Sequence, residues 1–157
     1  MKLMIATVIL LPILTVVGLT IGGLIANQVP WLEPPGLGQR LKLYLTTNTA
    51  HAHPEAERPE LKTQLYPVTD TVLQAAIGQA LAALQWPSTA RTAHQTQAVI
   101  TSRLWRFKDD LTITLIPAPS GCWLEITAQS RVGRGDLGAN THHIRQFLAT
   151  LPQFLPK

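Results

Sequence analysis

Apolar residues follow different patterns along the chain. From Leu3 to Ala26 they run almost unbroken: LMIATVILLPILTVVGLTIGGLIA carries no charge. At about 1.5 Å per helical residue it is long enough for the roughly 30 Å hydrocarbon core of a bilayer. The pattern then dissolves. Pro34-Pro35-Gly36 breaks any continuing helix, and TTNTAHAHPEAERPELKTQ is polar, proline-containing and aperiodic. Residues 28–60 therefore read as a juxtamembrane connector and loose linker.

Periodicity returns near Leu61. Leu73, Ala76, Ile77, Ala80, Leu81 and Leu84 keep the i, i+3, i+4, i+7 spacing of one helix face. Thr71 and Gln74 stand in capping-box positions, and Trp86-Pro87 is the stop. Three strands are predicted next, over Gln97–Leu104, Leu111–Ile116 and Cys122–Ser130. In the second, Leu111, Ile113 and Leu115 alternate with Thr112, Thr114 and Ile116; in the third, Cys122, Leu124, Ile126 and Ala128 alternate with Trp123, Glu125, Thr127 and Gln129. The short joint PAPSG makes this pair an antiparallel hairpin. A last helix runs from about Asn140, as N-cap, to Leu151, with Ile144, Phe147, Leu148 and Leu151 on one face. Lys62–Tyr66 is a candidate opening strand. The expected fold is α+β: a transmembrane helix within residues 1–27, then a two-layer domain over 61–152. An antiparallel sheet of three to four strands would carry two helices on one face.

The apolar N-terminus has a rival reading as a cleavable signal peptide. That needs a shorter apolar core and a small-x-small cleavage site, whereas Ala26 follows Leu24 and Ile25. A retained single-pass anchor is the better fit. Gly18-x-x-x-Gly22 offers it a groove where a second helix could pack. Lys2 lies on one side and Arg40 and Lys42 on the other, so positive charge does not decide orientation. An extracytoplasmic domain is the expectation.

Composition narrows the chemistry. The net charge of +4 is spread without any run of Lys or Arg, so nucleic acid is not an expected partner. One cysteine, Cys122, forms no internal disulfide, and it falls on the apolar face of its strand, where an inert thiol is expected. His51-x-His53 and His142-His143 invite a metal reading, but the first pair lies in the loose linker. Adjacent helix residues point about 100° apart, so no metal or other cofactor is expected. No nucleophile, base and orienting group fall into a recognisable catalytic set, so no catalytic residue is assigned and the chain reads as a non-enzyme.

Ser130 to Asn140, SRVGRGDLGAN, contains Gly133-x-Gly135-x-x-Gly138, the spacing of a dinucleotide loop. The context is wrong for one. A parallel βαβ unit needs another strand after the helix and an acidic residue about 20 positions on, and nothing acidic follows Asp136. A nucleotide is therefore not an expected partner. The same loop belongs to a polar cluster. The hairpin alternation places Asp110 on the polar face with Gln129 and Arg131, opposite or diagonal to Arg131, where carboxylate and guanidinium can pair. Arg134 and Asp136 could extend that cluster. Asp109 falls on the other face.

Trp105-x-Phe107-x-Asp109-Asp110, then a hairpin, then Ser130-Arg131-Val132-Gly133-Arg134-Gly135-Asp136-Leu137-Gly138-Ala139-Asn140, closely resembles the bacterial and plastid family called domain of unknown function 1499. Pro59-Glu60-Leu61 and the anchor-plus-linker layout resemble its cyanobacterial version. The resemblance marks Asp109, Asp110, Arg131, Asp136 and Asn140, with Phe107, Gly133 and Gly138, as signature positions without giving them chemistry. The functional expectation is a membrane-anchored, non-enzymatic binding or accessory module. If the family context carries over, the membrane is photosynthetic and the partner a membrane-protein complex. Two alternatives stay open: binding of a small apolar or lipid-like ligand, and an enzyme using Asp110, Arg131 and Asp136.

Overall fold

The computed structural model describes residues 2–102 and 106–156, with side chains in the first helix described from Leu10 onward. Leu104 and Trp105, which the sequence reading used, lie outside the described residues. Helix α1 (Lys2–Ala26) and helix α2 (Leu37–Thr46) precede strand β1 (Thr49–Ala52). Helix α3 (Asp70–Ala83), strands β2 (Ser88–Arg91), β3 (Gln95–Thr101), β4 (Lys108–Ala118) and β5 (Gly121–Ser130), and helix α4 (Ala139–Thr150) complete the order.

The strands form one five-stranded sheet, β1-β5-β4-β3-β2, antiparallel at every junction. The hairpin is longer and its turn tighter than expected, with Ala118 already paired to Gly121. Its register sets Leu111 against Ala128 and Leu115 against Leu124, all buried. Leu73, Ile77 and Leu81 of α3 and Ile144 and Phe147 of α4 close over that side in one apolar core. The α+β class stands, with helices α3 and α4 on one side of the sheet.

Several expectations need correction. The sheet has five strands where three to four were expected, because β1 and β2 are only four residues each, too short to show alternation. The segment read as a loose linker supplies β1, which pairs with β5 and buries Ala50 and Ala52. Lys62–Tyr66 is no strand: it makes only isolated bridges, His53 to Lys62 and Tyr66 to Cys122. Thr69, not Thr71, caps α3, its hydroxyl accepting from Val72 N–H. Gln74 faces inward instead, donating to Thr92 O and accepting from the Thr96 hydroxyl.

Helix α2 was not expected at all, and its burial explains why. Its inner side holds Arg40 and Tyr44, while Leu37, Leu41 and Leu45 stay exposed. Arg40 is fully buried and grips Glu60 through two hydrogen bonds of 2.7 and 3.0 Å. It also donates to Tyr44 Oη and to the carbonyls of Glu33 and Pro34. Arg40 therefore belongs to the fold and not to a juxtamembrane charge count.

Helix α1 is observed where the anchor was predicted. Counted over residues whose side chains are described, no helix is long and apolar enough to cross a membrane. Its side chains from Leu10 to Leu19 are exposed, and contact with the domain begins only at its last turn. There Leu24 and Val29 form a second small core with Tyr44, flanked by Trp31, Leu43 and Leu137.

Candidate functional site

The loop from Ser130 to Asn140 lies between β5 and α4, and its backbone is tied to the elements around it. Asp136 N–H donates to Thr47 O and Leu137 N–H to Tyr44 O, both at the end of α2. Gly135 passes so near the Tyr44 and Leu45 carbonyls that a Cβ would collide with them. Asn48 donates to Ser130 O and Gly133 O, and Asn140 donates to Asn48 O and Ser130 Oγ. These bonds join the strand end, the loop and the start of α4.

Asp136 has a local task. Its two carboxylate oxygens accept from the N–H groups of Gly138 and Asn140 at 2.8 and 3.0 Å, satisfying donors that open α4 and placing negative charge at its positive end. This corrects the N-cap expectation for Asn140, which sits inside the first turn; Gly138 is the capping position, left-handed at φ +81. Two N–H groups that a phosphate would use are thus taken by the protein's own carboxylate.

The polar cluster predicted from sequence separates onto two faces. On the open face Arg131 grips Asp110 bidentately, Nε to Oδ2 at 2.8 Å and Nη2 to Oδ1 at 2.6 Å, with both side chains 48% exposed. This is the diagonal contact implied by a register that sets Asp110 opposite Gln129. The guanidinium holds the Asp110 carboxyl below its usual pKa. On the covered face Asp109 is buried and meets His143 Nε2 at 3.0 Å. The Trp86 ring stands edge-on to that imidazole at 5.7 Å. Ser130, paired with Asp109 across the strands, brings in Asn140, whose Oδ1 is buried without a hydrogen-bond partner, as is Nδ1 of His143. Arg134 is exposed and joins neither group, so Asp110, Arg131 and Asp136 do not converge on one centre.

Sequence reasoning missed Glu60 and Asn48, and it weighed His143 only as a metal ligand beside His142, not as a partner of Asp109. For Glu60 the signal was present in the Pro59-Glu60-Leu61 words. His143 could have been found by reading α4 at i+3 from Asn140, which puts both on one side. The neighbouring His142 diverges from it. Burial, together with the nearby His143 and Arg145, holds the His142 pKa below its usual value. Cys122 is fully buried, its Sγ 2.9 Å from Asp70 Oδ1. Burial, reinforced by that carboxylate, pushes the thiol up to about 11.

The loop also receives the end of α1. Asn27 donates to Leu137 O, Arg145 donates to Gln28 O, and Leu137 lies against Gly23. A Cβ at Gly138 would overlap the Val29 side chain. Two surface hollows lie elsewhere, both open to solvent. One of about 610 Å³ is lined by Pro67–Thr71 and the 118–121 turn. The other, about 400 Å³, is lined by His51, His53 and Glu125 among others.

One family model, described as protein of unknown function (DUF1499), matches residues 40–151. Among curated proteins none matches the sequence.

Proposed function

The chain belongs to the DUF1499 family of proteins of unknown function, and on that premise we propose that it is a membrane-anchored, non-enzymatic binding or accessory module. Its N-terminal helix would hold the domain against the bilayer. The observation that carries this reading is the contrast along α1. Leu10, Leu11, Ile13, Leu14, Val16 and Val17 are 47–64% exposed, covering the helix on all sides, while its last turn is fixed to the signature loop. A helix that is apolar all round needs an apolar surrounding, and the domain provides one only for Leu24.

The described side chains alone fall short of a span; α1 as a whole has 25 residues, about 37 Å at 1.5 Å per residue, against a hydrocarbon core of about 30 Å. Support for a binding role comes from the division of the signature residues. Asp136 and Asn140 are used in building the joint, and Asp110 is held by Arg131 in the open. Supporting context for a membrane-complex partner, photosynthetic or otherwise, is family resemblance alone. Neither of these two hollows is enclosed and apolar, so neither supports the lipid-like ligand alternative.

Alkaline carbonate extraction of membranes from cells expressing the tagged chain tests the anchor. The chain is expected in the pellet; release into the supernatant would end the reading. Purification in mild detergent tests the accessory role, with a stoichiometric membrane protein expected alongside. Recovery as a free monomer alone would remove that part.

A further inference from the structure

Helix α2 carries a leucine stripe on its exposed side. An ordinary surface helix turns its apolar stripe inward. Here Leu37, Leu41 and Leu45, at i, i+4 and i+8, are 50%, 37% and 43% exposed, and Leu32 just before them is 85% exposed. The buried side carries Arg40 and Tyr44, with Leu43 partly buried beside them. That arginine fixes the rotation of the helix, because Glu60, Tyr44 and the carbonyls of Glu33 and Pro34 together engage Nε, Nη1 and Nη2. Rolling the leucines inward would pull this buried cation away from Glu60 and from the Glu33 and Pro34 carbonyls, so the stripe is held outward.

Its position supplies the occupant. Tyr44 of α2 packs on Leu24 and Val29 at the end of α1, so α2 adjoins the place where α1 joins the domain. The helix has no acidic residue, and Lys42 is its one exposed charge. Arg134, also exposed, lies in the loop that touches the Leu45 backbone. Exposed leucines with flanking cations are the composition of a helix lying in a bilayer interface.

We propose that α2 is an interfacial helix whose Leu37–Leu41–Leu45 stripe, continued by Leu32, lies in the headgroup and upper acyl layer of the same anionic bilayer that α1 enters. This rests on the anchoring reading above and extends it. The domain is then attached at two places, by a spanning helix and by a second helix lying flat beside it.

The test uses the full chain in phosphatidylcholine–phosphatidylglycerol vesicles, with an environment-sensitive fluorophore on a cysteine introduced at one site; the buried Cys122 is left in place. Probes at Leu41→Cys and, as a second variant, Leu37→Cys are expected to shift to the blue. Lipids carrying a nitroxide near the headgroup should quench them severalfold more than a probe at Glu125→Cys on the far part of the sheet. A probe at Leu14→Cys, challenged with a deep acyl nitroxide, reports the anchor separately. Quenching at Leu14 without quenching at Leu37 and Leu41 overturns the interfacial helix and leaves the anchor standing, as a protein-covered stripe would give. Loss of quenching at Leu14 as well overturns both. Equal quenching at Glu125 and Leu41 also overturns the proposal, since the domain would then have no preferred face.

Discussion

Arg40 and Arg131 make the same bidentate contact with a carboxylate in opposite surroundings. The Arg40–Glu60 pair is buried, 0% and 8% exposed, and the Arg131–Asp110 pair is half open to water at 48% each. Removing one member of a buried pair leaves an uncompensated charge, so Glu60→Gln should cost about 3–5 kcal/mol, measured by chemical denaturation. Arg131→Ala should cost far less in the same measurement, because water replaces most of what the carboxylate loses. The fold also acquires a pH dependence. Burial pushes Glu60 upward, but the hydrogen bonds from Arg40 prevail and its folded pKa lies below 4.5. His142 lies below 6.5, chiefly through burial. In each case the unfolded chain takes up the proton first, so the stabilisation is complete above the unfolded pKa and lost as pH falls toward the folded one. Thermal stability should therefore decline in two windows, below about 6.5 and again below about 4.5, and His142→Gln should abolish the first. The Asp110–Arg131 contact was legible in the sequence because strand alternation fixes which residues share a face. The Asp109–His143 contact was not, since its partner sits on a helix whose height over the sheet no local pattern records.

At the scale of elements, the passage from β5 into α4 depends on one carboxylate, Asp136, and on Gly135 and Gly138. Asp136→Ala removes the acceptor for two N–H groups and should cost about 1 kcal/mol in a urea melt, with Asp136→Asn recovering part. Gly138→Ala should be worse, because it combines a left-handed φ of +81 with overlap on Val29. A Gly138→Ala variant as stable as its parent would show that the α1 end is not seated on this loop. The same scale shows where sequence reasoning ran out. Strands β4 and β5 declared themselves because ten or more residues alternate. Strand β1 did not, since Thr49–Ala52 buries only alanines. Helix α2 hid because three of its leucines mark its outside, and its inside is Tyr44 beside an arginine whose partner lies twenty residues away.

For the whole molecule, the tether expected between anchor and domain is absent: α1 ends on the signature loop and α4 through Asn27, Gln28 and Gly23. Leu137→Ser should loosen that joint without unfolding the sheet. The expected readout is faster proteolytic cutting between residues 27 and 36, with near-unchanged cleavage within residues 49–150. The buried thiol of Cys122 supplies a clock for the rest. It is sealed between β5 and Val68–Asp70 and held near pKa 11, so alkylation must wait for those parts to separate. The labelling rate of the unmodified chain, followed against denaturant, should then report how often β5 parts from Val68 and the start of α3.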